Sequence, residues 1–214
     1  MNEFDVSLPD EFCVVTDYIK DVLLDIRYFS TFNFVGARVD GYLDPVAILT
    51  KKAVSQLEKA CVEFKKHGYI IKIYDAYRPQ SAVDHFVRWG KDVKDLRTKE
   101  YFYPEIDKAK CFELDFIATR SSHSRGSTID LTLFDEKTGM DLDMGGPFDY
   151  FGDLSHADYK DITKVQYDNR MLLREVMIKY GFRPFNGEWW HFTLIDEPFK
   201  DTYFNFPVKN YKKV

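Results

Sequence analysis

The 214-residue sequence is 45% hydrophobic, 17% aromatic and 30% charged, which is typical of a folded chain with an excess of aromatic residues. A chain of this length fits one compact domain over residues 1–214, with a core large enough to need no disulfide or structural metal. The formal net charge of -5 argues against an electrostatic nucleic-acid binder, which usually carries a basic face.

The N-terminal segment gives no sign of a targeting signal. Its first ten residues, MNEFDVSLPD, carry acids and lack the apolar stretch of a signal peptide. No apolar run in the sequence approaches the roughly 20 residues that a membrane helix needs. The three cysteines, Cys13, Cys61 and Cys111, are odd in number and widely spaced, which favours reduced thiols over a disulfide framework. We therefore expect a cytoplasmic protein without a membrane or nucleic-acid partner.

The first half of the chain predicts a helix, a strand and a second helix. Asp44 and Pro45 offer an N-cap and a first-turn proline, apolar residues then recur at helical spacing, and Gly68 closes the element. Residues 69–77, YIIKIYDAY, are β-branched and aromatic and predict a strand that ends at the following Arg-Pro pair. Residues 81–90, SAVDHFVRWG, predict a helix with one apolar side.

The second half of the chain predicts more strands and one more long helix. In chain order, we expect a mixed loop with short helices at 90–118, a strand at 129–134, a long loop at 139–153, a helix at 166–180 and a strand at 188–195. On the first of these strands, Asp130 and Thr132 share one face, while Ile129 and Leu131 share the other. Helices and strands mixed in this order predict an α+β domain with a mainly antiparallel central sheet flanked by helices.

Polar side chains occur on two of these strands, where a buried sheet should be apolar. Asp130 lies near the start of one strand, His191 lies within the other, and His123 precedes the first in the loop SSHSRGST. Two imidazoles and a carboxylate suit a catalytic zinc ion, which takes three protein ligands and leaves a fourth position open for water. Gly126 would let the loop turn sharply. Each ligand residue taken alone is more often structural, but together they predict one Zn²⁺ site.

Glu188 lies three residues before His191 and adds a base beside a predicted ligand. A zinc hydrolase needs a general base that takes a proton from water and passes it to the leaving amine. In a regular strand the two side chains would point to opposite faces, so we expect Glu188 in a turn or bulge before the strand. Trp189 and Trp190 would then line the site, with core packing as an equally good alternative for Trp190.

Arg78 is a second candidate for catalysis. It ends the predicted strand 69–77 and precedes a proline that restricts the backbone. Hydrolysis of an amide builds negative charge on the carbonyl oxygen, and a fixed cation there stabilises the transition state. From the residues alone, a surface salt bridge is the more ordinary role for such an arginine, so both interpretations stay open.

Four segments, DAYRP, SSHSRGSTIDLTLFD, FDYF and EWWHF, in this order resemble the zinc D-alanyl-D-alanine dipeptidases of the vancomycin-resistance type. The similarity extends from DIRYFSTFNFVG to the tail DEPFKDTYFNFPV. The resemblance implies a fold like that of the D-Ala-D-Ala peptidases and the hedgehog domain. It also implies Zn²⁺ on His123, Asp130 and His191, with Glu188 as general base and acid and Arg78 polarising the scissile carbonyl.

The resemblance further implies a set of residues around a small dipeptide substrate. Ser121 matches a position that helps to bind the substrate carboxylate, and Asp149 matches the acid that pairs with its free ammonium. Tyr28 matches a tyrosine at the border of the pocket, and Asp75 matches an acid that supports Arg78. The implied reaction is the hydrolysis of D-Ala-D-Ala, a peptidoglycan precursor, in a closed cavity that fixes both charged ends.

Two other functions stay open at this level. A D,D- or L,D-carboxypeptidase that trims cell-wall peptides would need a groove open toward the amino side, against which an ammonium-binding Asp149 argues. A non-catalytic zinc-binding module of the hedgehog type would need neither Glu188 nor Arg78. The sequence also leaves open whether such an enzyme serves glycopeptide resistance or the recovery of D-alanine.

Overall fold

The structure, a computed structural model, describes residues 7–211, and residues 1–6 and 212–214 lie outside the described part. Six of the ten residues behind the signal-peptide expectation are therefore outside it, as are both ends of the predicted domain. Over the described range the chain forms one domain of helices and a mixed sheet, which confirms the predicted α+β class. None of the helices between residues 7 and 211 is long and apolar enough to cross a membrane.

The secondary structure of residues 7–211 consists of short strands and helices of up to sixteen residues. The strands are β1 (Phe12–Val14), β2 (Val22–Leu24), β3 (Ile48–Thr50), β4 (Tyr69–Asp75), β5 (Thr128–Asp135), β6 (Met140–Asp141), β7 (Phe182–Phe185) and β8 (Glu188–Leu194). The α-helices are α1 (Lys51–Lys66), α2 (Gln80–Lys91), α3 (Lys99–Phe102) and α4 (Lys164–Lys179). Apart from the start of α1, the predicted helices and strands are confirmed to within a few residues.

The main sheet of the described chain has the strand order β2-β4-β5-β8-β7, with β6 paired to β5. The β2–β4 pair at one edge is parallel, and the other pairs of this sheet are antiparallel, as predicted. Helices α1 and α4 pack on each other and on strands of this sheet, and their residues Leu57, Phe64, Leu173 and Met177 are fully buried. β1 and β3 form a separate two-stranded sheet.

Helix α1 begins later than the sequence predicts. The predicted N-cap is Asp44, whereas the N-cap in the structure is Thr50, whose hydroxyl accepts a hydrogen bond from the backbone N–H of Ala53 at 3.4 Å. The preceding residues form β3 instead, and Ile48 and Leu49 are fully buried in its pairing with β1. The predicted start is therefore wrong, because tertiary burial selects the second of two good N-cap residues.

Strand β5 lies in the middle of the main sheet and contributes Asp130 to the candidate site. Ile129, Leu131 and Leu133 are fully buried on one face of it, and Asp130 and Thr132 are buried on the other. Both faces of this strand are therefore covered, and a carboxylate in this position needs polar or cationic partners.

Candidate active site

The three predicted metal ligands come together in the structure. Asp130 on β5 pairs directly with His191 on β8, and Oδ1 of Asp130 lies 3.2 Å from Nδ1 of His191. His123 comes from the 3-10 turn Ser122–Arg125, which ends at Gly126 with φ of 82°. Its Nε2 lies 3.3 Å from Oδ2 of Asp130 and 3.3 Å from Nδ1 of His191. Two strands and one turn thus direct three ligand atoms to one point.

The donor atoms of this cluster fit a divalent metal ion. Neighbouring ligands on a tetrahedral zinc ion, with bonds of about 2.0–2.1 Å, lie about 3.3 Å apart, which matches the separations of these atoms. Oδ1 of Asp130 is buried and accepts no hydrogen bond from the described residues. A buried carboxylate oxygen without a donor is unfavourable unless a cation compensates it. Two imidazoles and one carboxylate are also a ligand set that zinc accepts in catalytic sites.

Hydrogen bonds outside the cluster orient both imidazoles. Nδ1 of His123 lies 2.7 Å from the carbonyl oxygen of Ala76, to which it donates, so that Nε2 faces the cluster as an acceptor. His191 turns Nδ1 toward the cluster, and its Nε2 lies 3.4 Å from the hydroxyl of Ser122. Ser122 was not among the residues singled out from the sequence.

The electrostatics of the cluster favour a cation. Burial lowers the pKa of His191, but the carboxylates of Asp130 and Glu188 beside its Nδ1 outweigh this effect and raise the pKa to about 9. Burial raises the pKa of Asp130, but the neighbouring imidazoles of His123 and His191 outweigh this effect and hold the pKa below its ordinary value. The acids therefore stabilise positive charge at this point, whether on an imidazolium or on a metal ion.

Glu188 reaches the cluster through an irregularity in the sheet. The register of the β7–β8 pair shifts between Pro184 and Phe185, and Phe185 pairs with Glu188. A β-bulge of this kind re-aims side chains, and here it places Glu188 and His191 on the same side. Oε2 of Glu188 lies 3.3 Å from Nδ1 of His191. The predicted irregularity next to Glu188 is confirmed, but Glu188 is the first residue of β8 and does not lie before the strand.

The tryptophans that follow Glu188 do not line the cavity. Trp189 and Trp190 are 4% and 2% exposed, and Trp190 packs edge-on against Phe148 in the core. The prediction that they line the site is therefore wrong, and the alternative of core packing that was open for Trp190 is confirmed. The aromatic lining comes instead from five residues distant in sequence and from the nearby Phe185; the distant ones are Tyr28, Phe34, Phe86, Phe116 and Phe151. Apart from Tyr28, sequence reasoning missed them because no local pattern separates a pocket phenylalanine from a core one.

Arg78 is held rigidly beside the cluster. Its Nε donates to Oδ2 of Asp75 at 2.8 Å, and a terminal nitrogen lies 3.5 Å from Oδ2 of Asp130. The guanidinium also lies over the rings of Tyr28 and Phe86, at 4.9 and 5.2 Å from their centroids. Since the side chain is only 12% exposed, a surface salt bridge does not describe it.

Asp75 lies behind Arg78 and is not among the residues that line the cavity. It is 1% exposed and accepts hydrogen bonds from Nε of Arg78 and, at 2.6 Å, from the hydroxyl of Tyr42. Burial raises the pKa of Asp75, while the Arg78 charge opposes this shift. Its contacts are those of a residue that orients Arg78. Tyr42, which orients Asp75 in turn, carried no sequence signal.

The other three predicted substrate residues, Ser121, Asp149 and Tyr28, line the same cavity. The hydroxyl of Tyr28 donates to the carboxylate of Asp149 at 3.0 Å. Asp149 has a φ of 62°, an uncommon conformation for a non-glycine residue that often occurs at functional sites. Burial and the nearby Asp130 charge raise the pKa of Asp149 well above its ordinary value. The hydroxyl of Ser121 accepts a hydrogen bond from the N–H of His123 at 3.3 Å.

The cavity over the cluster has a volume of about 280 Å³, which suits a small ligand. Charges of both signs line it within the described chain: Arg78 and Arg120 are the arginines, and Asp115, Asp130, Asp149 and Glu188 are the acids. Such a cavity can hold a small zwitterion beside a metal ion, a base and a buried cation.

Known proteins are similar to this one along nearly the whole chain. Residues 10–209 match the family model Peptidase_M15, described as D-ala-D-ala dipeptidase. A D-alanyl-D-alanine dipeptidase of Enterococcus faecalis is 43% identical over 201 residues, covering 94% of this chain and 100% of the relative. Proteins of the same name from Streptomyces coelicolor and Escherichia coli are 40% and 33% identical. They align over 94% and 81% of this chain and over 100% and 79% of their own lengths.

Proposed function

This chain belongs to the M15 peptidase family of D-Ala-D-Ala dipeptidases, and from that premise we propose that it hydrolyses D-alanyl-D-alanine to two D-alanines in a zinc-dependent reaction. The observation that carries the proposal is the position of Glu188 and Arg78 on the His123–Asp130–His191 cluster, inside one small cavity. A dipeptide is also the size of ligand that such a cavity accommodates.

One Zn²⁺ would be held by Nε2 of His123, Nδ1 of His191 and the carboxylate of Asp130. When bound there, the ion would lower the pKa of a water molecule and polarise the scissile carbonyl. The hydrogen bond from His123 to the Ala76 carbonyl supports this assignment, because it fixes the imidazole tautomer that can bind a metal.

Glu188 moves the protons of the reaction. Its carboxylate accepts a proton from the water that attacks the carbonyl carbon, and it then donates this proton to the amine nitrogen as the C–N bond breaks. Arg78 stabilises the negative charge that develops on the carbonyl oxygen. Because Asp75 and two aromatic rings hold the guanidinium in place, little reorganisation is needed when that charge appears.

Asp149 and Tyr28 orient the substrate by its amino end. The buried Asp149 carboxylate has a raised pKa, so a substrate ammonium would supply the cationic partner that it lacks. Ser121 would contribute a hydroxyl toward the substrate carboxylate. Fixing both ends of a dipeptide aligns its single amide bond, so we expect the rate to depend strongly on substrate length.

The test is an assay of released D-alanine with three substrates: D-Ala-D-Ala, L-Ala-L-Ala and N-acetyl-D-Ala-D-Ala. We expect hydrolysis of the free D,D-dipeptide alone, with loss of turnover on chelation and recovery on addition of zinc. Equal hydrolysis of the acetylated substrate would indicate a carboxypeptidase instead. No turnover by the zinc-loaded protein would indicate a non-catalytic zinc-binding module.

A reducing compartment such as the cytoplasm is the location that we propose. Cys61 and Cys111 are free thiols in the described chain, and Cys111 is buried. A chain that keeps these two thiols free suits a compartment in which disulfides do not form.

A further inference from the structure

The proposed substrate carries a carboxylate that needs a cationic partner. The Ser121 hydroxyl is neutral and already accepts a hydrogen bond from the N–H of His123. A carboxylate that leaves water is stabilised best by charge-assisted hydrogen bonds, above all from an arginine. Among the described residues that line the cavity, Arg78 and Arg120 are the two with a permanent positive charge.

Arg78 is already engaged by protein groups. One edge of its guanidinium faces Asp75 and another nitrogen faces Asp130, while its faces cover the rings of Tyr28 and Phe86. Arg78 lies beside the His123–Asp130–His191 cluster, where we expect the carbonyl oxygen of a bound substrate. A second cation must therefore receive the carboxylate.

Arg120 is free of such engagement. It is exposed, directly precedes Ser121 and lines the same cavity, yet none of residues 7–211 forms an ion pair with it. Its guanidinium lies over the ring of Tyr203, 5.0 Å from the centroid. A ring under the guanidinium face restricts its orientation without neutralising its charge, so its N–H edges stay available to a carboxylate.

The ring of Tyr203 is itself held in position. The guanidinium of Arg125 lies 6.0 Å from its centroid, and Arg125 forms a two-bond ion pair with Glu197 at 2.9 Å. Because Glu197 forms its ion pair with Arg125, it does not neutralise the charge of Arg120. The acids Asp115 and Glu188, which also line the cavity, form no ion pair with Arg120.

We propose that Arg120 is the residue that recognises the C-terminal carboxylate of the substrate. This inference deepens the proposed function and rests on it. The carboxylate of the dipeptide then lies toward Arg120 and Ser121, and its ammonium lies toward Asp149. The amide bond between these two ends faces Glu188 and the three proposed zinc ligands.

The experiment compares D-Ala-D-Ala with D-Ala-D-Ala amide, which has no negative charge at that end. For Arg120→Ala we expect kcat/KM on the dipeptide to fall by about tenfold or more, mainly through KM, as for loss of one hydrogen bond to a charged group. The amide should be affected little. Arg120→Lys should be intermediate, because lysine retains the charge but lacks the planar fork. If hydrolysis of D-Ala-D-Ala amide is too slow to measure, its binding is measured instead, as the inhibition constant of this compound for hydrolysis of D-Ala-D-Ala.

Arg38→Ala is the matched control, since Arg38 is also exposed and lies over an aromatic ring, at 5.7 Å from Phe29, but does not line the cavity. Arg38→Ala should leave kcat/KM unchanged on both substrates. An equal loss on both substrates in Arg120→Ala, or no loss on the dipeptide, would overturn the assignment while leaving the function intact. Absence of hydrolysis by the zinc-loaded wild-type protein would instead remove the proposed function, and the role of Arg120 with it.

Discussion

Asp130 and His191 are direct partners across the antiparallel strands β5 and β8, with Oδ1 of the carboxylate 3.2 Å from Nδ1 of the imidazole. This pairing makes the candidate metal site a property of the sheet register. A slip of one residue would turn one of the two side chains to the opposite face. The turn that carries His123 then completes a cluster whose other two members are fixed by backbone hydrogen bonds.

Glu188→Gln tests the proposed general base. The amide cannot accept a proton, so we expect kcat to fall by a factor of about 10²–10⁴ while zinc content stays unchanged. Steady-state kinetics with metal analysis of the same samples would measure both. Glu175→Gln, on the exposed side of α4, is the matched control and should retain full activity. Wild-type turnover by Glu188→Gln with zinc retained would contradict this role.

Arg78→Ala tests the stabilisation of charge on the carbonyl oxygen. Loss of a donor of this kind typically lowers kcat by about 10²–10³. Asp75→Asn should give a smaller loss, because it only loosens the guanidinium, and Tyr42→Phe a smaller one still. The double variant of Arg78 and Asp75 should be no slower than Arg78→Ala, since both act through one group. Additive losses in this cycle would show that Asp75 has a separate function.

Asp149→Asn tests the binding of the substrate ammonium. Asparagine tolerates the positive φ of this position, so the backbone should be retained. We expect kcat/KM on D-Ala-D-Ala to fall by about 10–100-fold, as for loss of a hydrogen bond between charged groups. Activity on N-acetyl-D-Ala-D-Ala should change far less, because this substrate has no ammonium. Parallel losses on the two substrates would place the ammonium elsewhere.

Arg170→Met tests how the loop that carries Asp149 is held. Arg170 is buried in α4 and donates to the carbonyl oxygens of Met144, Leu154 and His156, at 2.6, 2.9 and 2.7 Å. Methionine would fill the space but leave three carbonyl groups without this donor. We expect the free energy of unfolding to fall by about 3 kcal/mol or more, measured by urea denaturation.

A control on the same helix separates this effect from the loss of any arginine. Arg174 hydrogen-bonds only the side chain of Asn186 among the described residues, at 3.3 Å, so Arg174→Met should change the free energy of unfolding by less than about 0.5 kcal/mol. Arg170→Met should also lower kcat/KM under conditions where it is folded, because its loop contributes Asp149. Equal stability of the two variants would contradict the anchoring role of Arg170.

The sequence was most informative where chemistry contradicts the local pattern. Asp130 and His191 occupy strand positions that should be apolar, and this conflict revealed both of them. The three-residue spacing of Glu188 and His191 is incompatible with a shared face in a regular strand, and it therefore predicted the bulge that the structure contains. The remaining assignments, such as Asp149 and Tyr28, came from the resemblance to a family.

Tertiary packing decided what the local pattern left undetermined. Asp44 and Thr50 are both good N-cap residues, and only the burial of β3 selects Thr50. Trp190 and Phe185 are both large aromatic residues near Glu188, yet one is buried in the core and the other lines the cavity. Tyr42 reaches Asp75 across 33 residues of sequence, a contact that no local pattern predicts.

Zinc stoichiometry tests the central claim most directly, which is that His123, Asp130 and His191 hold one metal ion. Elemental analysis after dialysis against zinc should give one zinc ion per wild-type chain and none after chelation. Asp130→Ala and His191→Ala, checked for folding by circular dichroism, should retain no stoichiometric zinc. A wild-type protein that stays metal-free in the presence of zinc, or variants that bind zinc as the wild type does, would contradict the account.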